Sequence, residues 1–284
     1  MRSPGIAALH GLTRGHALIS GLPLLDRETG RAYARPRRVG RRLFRRRAVA
    51  LVLIFAPLAL SASANAGTSP GDAAGTRLSD ERTHTYWAHS KLRAQILRLP
   101  VPTSRPIARV HYLTEDGFPE VYLVLRRWTD PDERTWLKVR IPMRPNGRTG
   151  WVRNFALGGL HLVRTRLVVD RLSLRATLYR SGQSIWRSEL GIGAPSTPTP
   201  AGRFWIRERI KVSNPGGSYG PWALGTSAYS VLSDWPGGGV IGIHGTNQPQ
   251  LIPGRPSHGC VRVENSAISR LARLMPIGTP VLIR

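Results

Sequence analysis

Cys260 is the only cysteine among the 284 residues of the chain. It lies within the run Ser257-His258-Gly259-Cys260-Val261-Arg262, and His244-Gly245-Thr246 lies upstream of it. A thiol attacks as its thiolate, and a nearby imidazolium or a ring of backbone donors lowers its pKa. A base within hydrogen-bond reach activates such a sulfur for acyl transfer. Gly259 allows a tight turn and the close approach of a substrate. The backbone N–H groups around Gly259 and Cys260 are then candidates to face the oxyanion of a tetrahedral intermediate.

Two other chemistries fit the same residues. A lone cysteine often packs as a small hydrophobe, but Ser, His, Gly and Arg are poor partners for a core thiol. His244, His258 and Cys260 also form a possible zinc ligand set. The spacings of familiar zinc motifs are absent, and no carboxylate stands between His244 and Cys260 to serve as a base. The nucleophile reading is the strongest of the three, and it requires neither metal nor cofactor.

The pattern His-Gly-Thr, a loop, then Ser-His-Gly-Cys-Val-Arg resembles the catalytic motif of the L,D-transpeptidases, the YkuD-type domain. The resemblance extends upstream to Gly191-Ile192-Gly193 and Thr197-Pro198-Thr199-Pro200-Ala201-Gly202-Arg203-Phe204. It ends in Gly278-Thr279-Pro280-Val281-Leu282-Ile283. It implies a mostly β catalytic domain over about residues 160–284. It also implies Cys260 as nucleophile, His244 as base and acid, and peptidoglycan stem peptides as donor and acceptor. Some family members carry Asn where this chain has Arg262, a difference that bears on acceptor preference. Ser257, His258, Gly259, Gly245 and Arg262 are expected to shape the oxyanion site or position substrate, with Ser257 bonded to one of the histidine rings. Arg262 is suited to a stem carboxylate, since a planar guanidinium offers two parallel hydrogen bonds. Carbapenem-type inhibitors are expected to acylate the sulfur. Two alternatives share the motif: an L,D-carboxypeptidase that uses water, and a non-catalytic wall-binding protein.

Composition bears on the compartment. Net charge is +26, and of 42 basic residues only Lys91, Lys138 and Lys211 are lysines. Residues 1–47 hold 12 arginines and 2 acids, and Ala48–Leu60 is an uncharged apolar run of 13 residues. Ala64-Asn65-Ala66 then reads as a signal-peptidase site, so residues 1–66 are expected to be a basic segment and signal peptide. The run is short for a membrane span, though an uncleaved anchor over 48–60 is the minor alternative. The long basic stretch suggests a true start near Val39, and Arg41-Arg42 weakly suggests twin-arginine export. The remaining chain carries 30 basic and 14 acidic residues. Scattered charge on an exported protein points to anionic cell-wall polymers as partners, with no nucleic acid. An exported chain with one cysteine has no internal disulfide framework.

The rest of the chain must position the site. Residues 67–84 read as a linker. Trp87, Leu92, Ile96 and Leu99 recur at helical spacing, which predicts a short helix over about 79–99. Val121-Tyr122-Leu123-Val124-Leu125 and the alternating Leu137, Val139 and Ile141 read as strands, with turns at Asp116-Gly117, Asp130-Pro131 and Asn146-Gly147. Gly150-Trp151-Val152 resembles a strand of bacterial SH3-like domains. The expected fold is therefore mainly β, with an SH3-like β-barrel at 85–157 and a catalytic β-sandwich or barrel at 158–284. The second part carries one or two short helices, and the first is expected to be separable from it. Leu172, Leu174, Ala176 and Leu178 should share one strand face. Phe204–Val212 is expected as a strand, Val240–Ile243 as a buried strand delivering His244, and Ser266–Met275 as a helix. Tyr219, Trp222, Tyr229 and Trp235 are candidates to wall a cleft.

Overall fold

A computed structural model describes residues 75–234 and 236–284. The expected signal peptide, the start of the expected linker and Trp235 lie outside the described residues. The described chain is mainly β, with three sheets and, among the described residues, one α-helix, Asn265–Leu274.

The first sheet has eight strands and is built on Val121–Thr129. Residues 121–124 are all buried, because both faces of this strand are covered. On one face Tyr122 and Val124 join Ala88, Ile96, Val139 and Val152 in a core. On the other Val121 and Leu123 pack with Trp87, Val163 and Trp205. A strand covered on both faces reads as a continuous apolar run, while one with a wet face alternates. Thr135–Arg140, beside it, pairs antiparallel as its pattern suggests.

The expected helix over 79–99 is replaced by two strands, Thr85–His89 and Gln95–Leu97. Trp87 and Ile96 are buried in different clusters, while Leu92 and Leu99 are exposed. The helical spacing was a coincidence between residues with separate destinations. Part of the expected linker is also ordered: Thr76–Arg77 pairs with Arg126 and Arg127. The sheet runs past the Gly158-Gly159 boundary, since His161–Val163 pairs with Thr85–Trp87.

Two further sheets share one core. Five strands run in the order Gln183–Glu189, Arg175–Arg180, Thr165–Asp170, Pro280–Ile283, Gly202–Trp205. Six run in the order Ile210–Lys211, Trp222–Tyr229, Val240–His244, Val261–Arg262, Gly191–Gly193, Gly254–Ser257. Leu167, Val169 and Leu178 from the first of these meet Leu224, Ile241, Ile243 and Val261 from the second. The helix adds Ile268, Leu271 and Ala272 to the same core, with Met275 just past its end. Leu172 departs from the expected face: Thr165–Asp170 and Arg175–Arg180 form a hairpin, and Leu172 stands exposed at its turn. The expected strand Phe204–Val212 is split into Gly202–Trp205 and Ile210–Lys211.

The first sheet and the sandwich are joined by buried contacts. The Trp205 indole N–H donates to the Val121 carbonyl at 2.8 Å. Trp87 lies against Gly278, whose φ of 76° disfavours a side chain and whose missing Cβ leaves room for the indole. Arg207 and Glu120, each almost wholly buried, form a two-pronged ion pair, and Arg207 also meets Glu115. The Tyr229 hydroxyl donates to Glu115. This is the packing of a shared interior, in contrast to the separable parts expected from sequence.

Candidate active site

Strand Val240–His244 alternates between the core and a cleft. Ile241 and Ile243 point into the core, so Gly242 and His244 face the other way. Val261–Arg262 runs parallel beside it, with Ile243 opposite Val261 and His244 opposite Arg262. That register sets Cys260 next to Gly242, whose N–H donates to Sγ at 3.4 Å. On the neighbouring antiparallel strand Ala223 pairs with His244 and Gly225 with Gly242. Ala223, Gly225, Gly242, His244 and Cys260 thus floor one cleft of about 1290 Å³, including its open mouth.

His244 is buried, and its Nδ1 lies 2.6 Å from the Gly245 carbonyl oxygen. A carbonyl only accepts, so Nδ1 carries the hydrogen and Nε2 keeps a free lone pair. The Gly245 carbonyl thus fixes the tautomer without a carboxylate. The Tyr219 ring leans on the imidazole, with centroids 4.8 Å apart. Burial pushes the imidazole pKa down to about 4; the Gly245 bond opposes this, and the Arg262 charge adds to it.

Burial also dominates at the sulfur. It raises the Cys260 pKa above the ordinary thiol value, against smaller lowering effects from the Gly242 N–H and the Arg262 charge. The expected thiolate activated by an imidazolium is therefore not the resting state. Both groups rest neutral near pH 7, and desolvation is the reason.

The turn that carries the sulfur is held by its backbone. Ser257 Oγ donates to the Cys260 carbonyl at 2.6 Å and accepts from the Gly259 N–H at 3.1 Å. It bonds to neither histidine ring in these contacts, contrary to expectation. Gly259 has φ of 128°, and a Cβ there would lie 2.8 Å from Ile241 Cδ1. Thr199 is buried; its hydroxyl donates to the Gly259 carbonyl at 2.6 Å and accepts from the Gly193 N–H at 2.9 Å. The Thr-Pro-Thr loop thus buttresses the cysteine turn. Asn265, the first residue of the helix, accepts from the Thr246 N–H at 2.9 Å and so anchors the segment after His244.

His258 is exposed on a bend and does not line the cleft. The strand geometry that would align its ring with the sulfur is absent, because residues 258–260 are not a strand. Arg262 bonds weakly to Gln248 at 3.4 Å and acts on the site through its charge. Of the four aromatics, Tyr219 lines the cleft, Trp222 packs on the core and Tyr229 is buried beside Glu115. Asp116, Phe118, Glu208 and Lys211 also line the cleft, none of them legible as site residues in the sequence. Asp116 and Phe118 come from the hairpin after the 107–110 region, closed by Thr114–Phe118 hydrogen bonding.

Comparison with known proteins points to the same stretch of chain. Residues 164–283 match the YkuD family model, the L,D-transpeptidase catalytic domain. The YkuD protein of Bacillus subtilis (strain 168) is 37% identical over 94 residues, which cover 33% of this chain and 50% of that protein. The YkuD protein of Bacillus licheniformis is 33% identical over 118 residues, covering 42% and 64%. The match thus spans about half to two thirds of the length of these relatives. A crystal structure of an Enterococcus faecium L,D-transpeptidase mutant is 26% identical, covers 42% of this chain and 49% of its own, and has a TM-score of 0.32. His244 and Cys260 meet on one cleft floor, and the stretch from strand Thr165–Asp170 to the last strand is similar to the YkuD-type L,D-transpeptidase catalytic domain.

Proposed function

We propose that the protein is a peptidoglycan L,D-transpeptidase that works through a Cys260 thioester. One observation carries the reading: the sulfur, just before strand Val261–Arg262, and the imidazole on the parallel neighbour line one cleft, and a Cβ on Gly242 would lie 4.0 Å from Sγ and 3.9 Å from His244 Cδ2. Sγ attacks the carbonyl between the third and fourth residues of a donor stem while its proton passes to His244 Nε2. The C–S bond forms, and backbone N–H groups of the Ser257–Cys260 turn are the candidates to hold the oxyanion. The imidazolium so formed is a strong acid in this buried site. It gives its proton to the departing amine as the C–N bond breaks. The free amine of a second stem then attacks the thioester: the C–N bond forms as His244 Nε2 takes the amine proton, and that proton returns to Sγ as the C–S bond breaks.

The same reading places the enzyme outside the cytoplasm, at the wall. The apolar run 48–60 and Ala64-Asn65-Ala66 support this, as does the excess of basic over acidic residues after residue 66. Anionic wall polymers are the matching surface. Exposing the protein to a carbapenem-type β-lactam should give one adduct by intact mass, absent in Cys260→Ala. An adduct that persists in that variant would overturn the assignment. Incubation with disaccharide-tetrapeptide should yield a dimer; release of the terminal residue with no dimer would make the enzyme a carboxypeptidase.

A further inference from the structure

Glu208 is 2% exposed, yet it lines the same cleft as Cys260. Its Oε2 has no hydrogen-bond partner among the described residues. That oxygen lies over Gly225: a Cβ there would stand 2.5 Å away from it. Gly225 is the register partner of Gly242, and a Cβ on Gly242 would lie 4.0 Å from Sγ. Opposed Cβ positions in an antiparallel pair are about 5 Å apart, so the carboxylate is no more than about 12 Å from the sulfur. Two adjacent glycines leave a floor without side chains, edged by a carboxylate on one side and the sulfur on the other.

A second carboxylate approaches from the other part of the fold. Asp116, on the hairpin of the first sheet, lines the cleft beside Glu208. Burial raises the Glu208 pKa to about 7; the Thr114 hydroxyl opposes this, the charge of Asp116 and a side-chain hydrogen bond shared with it add to it, and the Arg207 charge opposes it. Arg207 directs Nε and Nη2 to Glu120 and Glu115, and no ion pair joins it to Glu208 among the described residues. An orphaned, buried carboxylate oxygen facing a cleft calls for a cationic donor.

We propose that Glu208 and Asp116 form a subsite for the ammonium group of the acceptor amine. The inference rests on the acyl-transfer reading, which needs a second substrate that arrives as an amine. An aliphatic amine has a pKa of about 10.4 and enters protonated. A pair of carboxylates at the cleft edge captures it over the Gly225–Gly242 floor and takes its extra proton before the free amine attacks the thioester. Water has no such charge, so the subsite favours transfer over hydrolysis.

The test is equilibrium binding to the full chain carrying Cys260→Ala, which needs no turnover. The probes are a lysine-bearing stem tetrapeptide and the same peptide with its side-chain amine acetylated. A hydrogen bond to a charged partner is worth about 1.5–3 kcal/mol, so the free amine should bind at least about tenfold tighter. Adding Glu208→Gln or Asp116→Asn should each shrink that preference to below about threefold. Asp116 is exposed on a hairpin, so its variant tests the idea even if Glu208→Gln folds poorly. Equal affinity of the two peptides for the parent overturns the proposal, as does a preference that survives both substitutions. A missing β-lactam adduct on Cys260 would instead sink the transferase reading and leave the ammonium preference to be read on its own.

Discussion

Arg207 and Glu120 form a buried ion pair across the seam between the first sheet and the catalytic sandwich. Arg207 Nε donates to Glu120 Oε1 at 2.8 Å and Nη2 to Oε2 at 2.5 Å. Arg207 directly precedes Glu208 at the cleft. Removing Glu120 leaves the buried Arg207 with only the half-buried Glu115 as countercharge, and breaking such a pair costs up to about 3–5 kcal/mol. Glu120→Ala should therefore lower the chemical-denaturation midpoint sharply. A change within about 1 kcal/mol would mean that water reaches Arg207 and that the seam is looser than its burial implies.

Deletion of residues 75–157 should give an insoluble or unfolded fragment. It would expose Trp205 and leave Arg207 without either acid. A fragment over 158–284 that is soluble and shows a cooperative melt would restore the two separable parts that the sequence suggests.

The pH dependence of acylation should follow the depressed imidazole. His244 accepts a proton only when neutral, and its pKa lies at about 4. The acid limb of the acylation rate is therefore expected near pH 4, well below an ordinary histidine. His244→Gln should remove that limb and lower the plateau by about two to four orders of magnitude. An acid limb near 6.5 would show that the ring is hydrated in solution.

Stability carries the same signature. A histidine whose folded pKa is depressed contributes stability that is complete above its unfolded pKa and is lost as the pH falls toward the folded value. Between pH 7.5 and 4.5, with a shift from 6.5 to about 4, His244 should account for roughly 2–3 kcal/mol of lost stability. Glu208, with a raised pKa, acts in the opposite direction, so the comparison must be between the parent and His244→Gln. The parent should lose more than the variant by that amount; parallel losses would refute the buried neutral ring.

Thr199→Val should test the buttress under the cysteine turn. It removes the donor to the Gly259 carbonyl and the acceptor for the Gly193 N–H. A buried group left unpaired costs about 1–3 kcal/mol. The melting temperature should fall and β-lactam acylation should slow, while Thr199→Ser retains most of both. Unchanged acylation in Thr199→Val would show that the turn holds itself.

Cys260 and His244 were legible as candidates because the sole cysteine stands out by type and the His-Gly-Thr and Ser-His-Gly-Cys motifs resemble a known family. The helix Asn265–Leu274 was legible because Ile268, Leu271 and Ala272 repeat at one period. Glu208 and Asp116 were not, because only the docking of the first sheet on the sandwich brings them into one cleft. The direction of the Cys260 pKa was misjudged for a related reason: motif neighbours suggest charge stabilisation, whereas burial is set by distant chain. Leu92 and Leu99 misled because an apolar residue on the surface leaves the same mark in a pattern as one in the core.

Strand Val121–Val124 has one face in the first sheet's core and the other against Trp87 and Trp205. A strand in that position has no solvent side on which drift is free, so substitutions there must satisfy two neighbours at once. The unit that recombination can move between proteins is then the first sheet together with its sandwich. A chimera that joins this catalytic part to a foreign amino-terminal module would inherit a cleft lacking Asp116 and Phe118.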